Sequence, residues 1–264
     1  MNNRPIGVLD SGVGGLTVFN ALVSALPFES VVYVGDSARA PYGDKDIDTL
    51  IAYGTQHINF LCENGVKAIV VACGTLCSNV LSHLQSVSSV PVFDIVRPGI
   101  ISFAEEFNGK SAGVIATAAT IRSGVFQQLL GQYTNFDVVY TPCPQFVSIA
   151  EDKISNLDEI HSIIEEYLCE HKKKEIDALL MGCTHYPLIR HYFESFLGST
   201  VEYVDMGAVA VCGIKRHLAD SRLLNFSTER PTYKFFTSGG TEDFDKIATK
   251  IVGFATHSNK MTWG

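Results

Sequence analysis

Several features are scarce or missing in these 264 residues. Charge is thin: 18% of residues are Asp, Glu, Lys or Arg, and 28 acids against 20 bases leave a formal net charge of −8. No basic stripe stands out beyond Lys172-Lys173-Lys174. Recognition of a phosphate backbone needs clustered cations, so no nucleic-acid partner is expected. No apolar run approaches the roughly 18 residues of a membrane span, so no membrane partner is expected either. The opening Met-Asn-Asn-Arg-Pro lacks the charged-then-apolar pattern of a secretory leader and runs straight into a strand-like segment. The expectation is a cytoplasmic protein with reduced thiols. It has seven cysteines, an odd number, so at least one stays outside any intramolecular disulfide. In such a protein a cysteine is most often a small core residue.

Apolar material is plentiful. At 46% hydrophobic the chain can build a core, and its length suits one large or two modest domains at about 150 residues each. Short β-branched runs alternate with longer amphipathic segments. Strands are expected at Ile6–Leu9, Val31–Val34, Ala68–Ala72, Val90–Phe93, Gly113–Ala116, Phe136–Tyr140, Ala178–Met181 and Val201–Val204, with a late one at Tyr233–Thr237. Helical patterns cover Leu16–Leu26, Ile47–Asn64, Gly124–Gly131, Leu157–Cys169, Met206–Leu218 and Asp243 to about Val252. This alternation predicts an α/β fold with mainly parallel sheets, covered by helices on both faces.

The chain also repeats itself. Gly7-Val8-Leu9-Asp10-Ser11 resembles Gly113-Val114-Ile115-Ala116-Thr117, and Val70-Val71-Ala72-Cys73 resembles Leu180-Met181-Gly182-Cys183. Each half thus offers a strand ending near a hydroxyl residue and a later strand ending in cysteine. Two similar α/β domains facing each other would gather these strand ends around one cleft, where ligands of open α/β sheets bind.

Four motifs lie at those ends. Asp10-Ser11-Gly12-Val13-Gly14-Gly15-Leu16-Thr17 is a glycine-rich strand-to-helix turn. It suits an anion held by backbone N–H groups, or a tight turn that needs positive φ. It departs from a dinucleotide fingerprint, because Thr17 stands where the third glycine belongs, although Asp36 ends the second strand where a ribose-binding acid could sit. Asp36-Ser37-Ala38-Arg39-Ala40-Pro41-Tyr42-Gly43 has loop chemistry. Ala72-Cys73-Gly74-Thr75 and Gly182-Cys183-Thr184-His185 each set a thiol just before a helix, where the helix N-terminus is expected to favour a thiolate. Either cysteine alone reads as a packed core residue; at equivalent positions of two repeats, the pair points to function. The spacings Cys73–Cys77 and Cys183–His185 do not match a structural zinc site, so no metal is expected. Cys62, Cys143, Cys169 and Cys212 are read as core residues.

Together the segments Ile6–Val18, Tyr33–Gly43, Val70–Thr75, Gly113–Gly124, Cys143–Glu151 and Gly182–Ile189 resemble those of the glutamate racemases, which supply D-glutamate for peptidoglycan without a cofactor. The resemblance implies two pseudo-two-fold related domains, at about 1–96 plus 207–264 and about 97–206, with the active site in the cleft between them. It implies that Cys73 is the base for D-glutamate and Cys183 the base for L-glutamate, assisted by Asp10 and by His185 with Glu151 respectively. Substrate contacts are implied for Asp10, Ser11, Pro41, Tyr42, Gly43, Gly74, Thr75, Thr117, Thr120, Thr184 and His185. The strand-end motifs hold no lysine that could anchor a pyridoxal Schiff base, which agrees with the absence of a cofactor. A homodimer is compatible with the resemblance, and nothing in the sequence selects an interface.

Three departures stand out. Gly74 replaces the family's Asn, Ala118 stands where Pro is frequent, and Ser148-Ile149-Ala150 where Pro-Leu-Val is frequent. Loss of one charge-assisted hydrogen bond at Gly74 would cost about 1.5–3 kcal/mol, so Gly74→Asn is expected to bind glutamate more tightly. Two alternatives stay open: a racemase of reduced activity or altered specificity, such as for aspartate, and a non-catalytic descendant that binds an acidic ligand or a protein partner.

Overall fold

The computed structural model describes residues 3–133, 137–227 and 229–262. Two separate sheets, parallel throughout, organise the chain. The first contains β1 (Ile6–Asp10), β2 (Val31–Gly35), β3 (Ala68–Val71) and β4 (Val92–Asp94); the second contains β5 (Ser111–Ala116), β6 (Asp137–Pro142), β7 (Ala178–Met181) and β8 (Glu202–Asp205). The chain then returns to the first sheet for β9 (Tyr233–Thr237) and β10 (Ser258–Lys260). Strand order is β10-β9-β2-β1-β3-β4 in one and β6-β5-β7-β8 in the other. The core order β2-β1-β3-β4 is therefore repeated by β6-β5-β7-β8, and the sequence repeat is the imprint of that equivalence. Register follows suit: Ile6 faces both Val31 and Ala68, as Ala112 faces both Val138 and Ala178.

Every residue of β1, β2, β3 and β7 is buried, which explains why these strands are apolar without alternation. Helices cover them by burying one stripe each. The helix Leu16–Ala25 buries Leu16, Val18, Phe19 and Leu22. The helix Ile47–Glu63 starts where the Asp46 carboxylate accepts the Thr49 N–H at 2.7 Å, and Asn156 caps Leu157–Lys173 in the same way. Among the described residues no helix is long and apolar enough to cross a membrane.

Some expected boundaries move. The fourth strand starts at Val92 rather than Val90, because Pro91 has no N–H for the ladder. The eighth runs to Asp205, whose carboxylate then caps the helix Met206–Asp220 by accepting the Gly207 and Ala208 N–H groups. The sixth begins at Asp137; Phe136, expected to start it, lies outside the described residues. All seven cysteines are free. The core reading fails for Cys212, which is exposed on its helix, and holds only in part for the half-buried Cys62 and Cys169; Cys143 is buried.

Candidate active site

The carboxyl ends of β1 and β3 in one sheet, and of β5 and β7 in the other, open onto one cavity of about 350 Å³. It takes Asp10 and Ser11 from the end of β1, and Cys73, Gly74 and Thr75 from the end of β3. The second sheet contributes Thr117, Cys183, Thr184 and His185. Pro41, Tyr42 and Gly43 form a wall, and Glu151 follows the helix Gln145–Ala150. Thr120 alone among the expected site residues does not line the cavity. Its hydroxyl hydrogen-bonds Thr117 Oγ1 at 2.9 Å, and Thr117 Oγ1 in turn meets Thr75 Oγ1 at 3.0 Å. Ala40, Asp44, Ala118, Arg122, Pro144, Val147 and Gly182 also line it and were not anticipated; only Asp44 and Arg122 among them carry charge.

The two halves touch closely around this space. Thr17 Oγ1 donates to the Thr184 carbonyl at 3.2 Å, and the Ala119 N–H donates to the Gly43 carbonyl at 3.1 Å. The glycine-rich turn after β1 has its explanation here. Gly12, Gly14 and Gly15 all keep ordinary negative φ, so the need for a left-handed turn is not met. Glycine is required by proximity instead: a Cβ on Gly14 would lie 2.3 Å from His185 Nδ1, and one on Gly15 would lie 2.6 Å from the Asp10 Cβ.

The two thiols have opposite electrostatic neighbours. Cys73 caps the short helix Gly74–Asn79 and is only 4% exposed. Burial pushes its thiol up, the Asp10 charge adds to this, and hydrogen bonds from the Leu76 N–H and Ser11 offset only part, so it reaches about 12. The thiolate expected from the helix N-terminus is therefore outweighed by desolvation and a neighbouring anion. Asp10 is itself fully buried, accepting the Gly12 N–H at 3.0 Å and the Thr184 hydroxyl at 3.5 Å.

Cys183 is followed not by an α-helix but by the single 3-10 turn Tyr186–Ile189. Its Sγ lies 3.8 Å from His185 Nδ1, and His185 Nε2 lies 3.0 Å from Glu151 Oε1. Lys153 Nζ closes the line at 2.6 Å from Glu151 Oε2. Burial alone would lower His185, but its hydrogen bonds to Cys183 and Glu151 prevail and raise it to about 10. Burial would likewise raise Glu151, but His185 and then Lys153 hold it down at about 2. At neutral pH the imidazole is thus a cation beside Cys183, held there by an ionised carboxylate. Tyr42 is turned otherwise: its hydroxyl donates to Asp36, so it walls the cavity with its ring and backbone. Among the described residues no three His, Cys, Asp or Glu side chains are grouped to hold a metal ion.

Residues 6–212 match the family model described as Asp/Glu/Hydantoin racemase. The chain is 37% identical over 254 residues to "Glutamate racemase 2" of Caldanaerobacter subterraneus subsp. tengcongensis, covering 96% of this chain and 95% of that one. Among solved structures, the glutamate racemase of Francisella tularensis, determined in complex with D-glutamate, superposes with a TM-score of 0.90 at 34% identity, covering 100% and 99% of the two chains. The glutamate racemase isoform RacE1 of Bacillus anthracis superposes with a TM-score of 0.92 at 31% identity, covering 99% and 98%.

Proposed function

The chain belongs to the Asp/Glu/hydantoin racemase family, and on that premise we propose that it interconverts L- and D-glutamate by passing the α-proton between two thiols, without a cofactor. It is an amino-acid racemase, an isomerase, and full-length relatives named glutamate racemase support glutamate as the substrate. The observation that carries the mechanism is the pair of buried thiols at equivalent strand ends of two facing sheets, one beside a carboxylate and one beside an imidazolium.

Inverting a carbon centre needs a proton taken from one face and returned to the other. Two fixed groups do this without a base that travels around the substrate. The imidazolium of His185 stands beside Cys183, which takes the α-proton of L-glutamate. Cys73, held protonated, delivers its proton to the opposite face. For D-glutamate the roles reverse. Buried Asp10 faces the substrate ammonium, and the hydroxyls of Ser11, Thr75, Thr117 and Thr184 are donors for carboxylate oxygens. Glu151 acts through His185 and is a positioning residue; Thr120 acts through Thr117. The same reading takes the domains as about 1–96 plus 207–264 and about 97–206, and the role as cytoplasmic supply of D-glutamate for peptidoglycan.

The test follows deuterium from D2O into the α-position of L- and D-glutamate, then of aspartate, with reduced, folded protein. Exchange of glutamate is expected, and none at all overturns the proposal. Enantiomers have equal free energy, so kcat/KM must be the same in both directions and any variant must lower both alike. Cys73→Ala and Cys183→Ala should each abolish racemisation; normal turnover in either removes the two-thiol mechanism.

A further inference from the structure

Arg122 ends the helix Ala118–Arg122, which starts from Thr117 beyond β5. It is exposed and yet lines the cavity, which puts it at the rim. Among the described residues it is the only Lys or Arg that lines this space. Among the described residues its side chain also has no hydrogen-bond, ion-pair or ring partner, whereas the other charges of the cavity are committed. Asp44 pairs with Lys45 at 3.2 Å, and Glu151 with His185 and Lys153. Asp10 accepts from Gly12 and Thr184.

From this we infer that Arg122 binds the distal carboxylate of the substrate and sets the preference for an acidic amino acid. The inference rests on the racemase reading above. The α-carbon must sit between Sγ of Cys73 and Sγ of Cys183, which are 4% and 7% exposed at residue level, so the substrate side chain extends from the buried floor toward the opening. A dicarboxylate entering a space lined by Asp10, Asp44 and Glu151 meets one uncommitted cation, and it stands at that opening. A guanidinium also offers two parallel N–H donors to a carboxylate, which an amide or an apolar chain end cannot use equally.

The contact is the same in ground and transition states, so its loss falls on KM rather than kcat. For a partly solvated charge pair, Arg122→Gln should raise KM for both glutamate enantiomers roughly three- to tenfold, with kcat within about twofold. Arg122→Lys should recover part of the loss, because it keeps the charge without the fork. The preference for glutamate over glutamine as a ligand should shrink by the same factor, and added salt should raise KM more steeply in the parent than in Arg122→Gln. An unchanged KM and an unchanged glutamate-to-glutamine preference in Arg122→Gln overturn the inference while leaving the racemase reading intact. Should the parent catalyse no exchange, calorimetric titration of glutarate decides separately: weaker binding by Arg122→Gln than by the parent supports the carboxylate contact, and equal binding overturns it.

Discussion

Gly74 is the residue at which the sequence alone misjudges the energetics. A Cβ there would lie 2.9 Å from the Gly182 carbonyl oxygen across the cleft. That atom is backbone, so the two halves would have to part, and overpacking of this kind costs about 1–3 kcal/mol. Gly74→Ala is therefore expected to weaken glutarate binding about fivefold to a hundredfold by calorimetry. Gly74→Asn should bind no more tightly than the parent, because any new hydrogen bond must first offset that cost; this reverses the expectation from the sequence. Parent-like affinity in Gly74→Ala would show that the cleft gives way freely. Glu151 and His185 make a second prediction at this scale. His185 is raised from 6.5 to about 10, so its contribution to stability is complete below about pH 6.5 and is lost as pH rises toward 10. Glu151 is lowered from 4.5 to about 2, so its contribution is complete above about pH 4.5 and is lost as pH falls toward 2. Glu151→Gln should then cost about 1–3 kcal/mol, most fully between pH 4.5 and 6.5, with the gap narrowing on both sides. Denaturant midpoints measured against pH check this, and a gap independent of pH would refute it. The paired thiols were legible because the sequence repeats them. Arg122 was not, because an exposed arginine on a five-residue helix carries no pattern of its own.

The loop from Asp36 to Gly43 is held as an element by one carboxylate. Asp36 is fully buried and accepts from Arg39 Nε at 2.6 Å, from the Tyr42 hydroxyl and from the Ser238 hydroxyl. His57 Nε2 lies 3.7 Å away. Ser238 follows β9, so the cavity wall is tied to a strand that joins the first sheet from the far end of the chain. Burial and the Asp36 charge together push the Tyr42 phenol up, which keeps its proton on the bond to Asp36. Asp36→Asn keeps the shape, but its single amide oxygen can accept only from Arg39 and Tyr42, through neutral bonds weaker by about 1 kcal/mol or more each, and its NH2 cannot accept the bond that Ser238 donates. The expected outcome is a roughly tenfold rise in KM for glutamate with a smaller change in kcat; an unaltered KM would mean that the loop holds itself. The sequence raised Asp36 only as a ribose-binding acid, because local spacing cannot show that Ser238 comes to meet it. The same limit hid β10: Ser258-Asn259-Lys260 is a polar edge strand without a hydrophobic signal, paired with β9 alone. The inner strands were legible because burial on both faces demands unbroken apolar runs, and their ends moved by two residues at most: β1 runs on to Asp10, β2 to Gly35, β3 stops at Val71 and β5 starts at Ser111. The helices Gly74–Asn79 and Gln145–Ala150 are too short to display a period.

The molecule is two sheets, but its apolar interior is not divided between them in the same way. The second sheet alternates its faces: Ile115, Leu179 and Met181 pack into a cluster of their own with Phe146, Ile164 and Phe193. Val114, Ala116, Ala178 and Leu180 belong to the large cluster that also contains Val8, Val32 and Val70 of the first sheet. The bridge between them is helical. Ile100, Phe103 and Phe107 of the helix Val96–Phe107, and Met206, Ala210 and Ile214 of the helix Met206–Asp220, are members of that shared cluster. Both helices lie where the chain passes from one half to the other, so the connections are part of the core rather than loose linkers. Unfolding the second sheet alone would expose one whole face of it together with these helices, at about 25 cal/mol per Å² of apolar surface. The two halves should therefore melt in one cooperative transition, with calorimetric and van't Hoff enthalpies in agreement. Glutarate, bound between them, should move that transition as a unit, by about 2.7 kcal/mol at a hundredfold excess over its Kd. Two resolved transitions, with glutarate shifting only one, would show that the shared cluster does not couple the halves and that the cleft is assembled from independently folding parts.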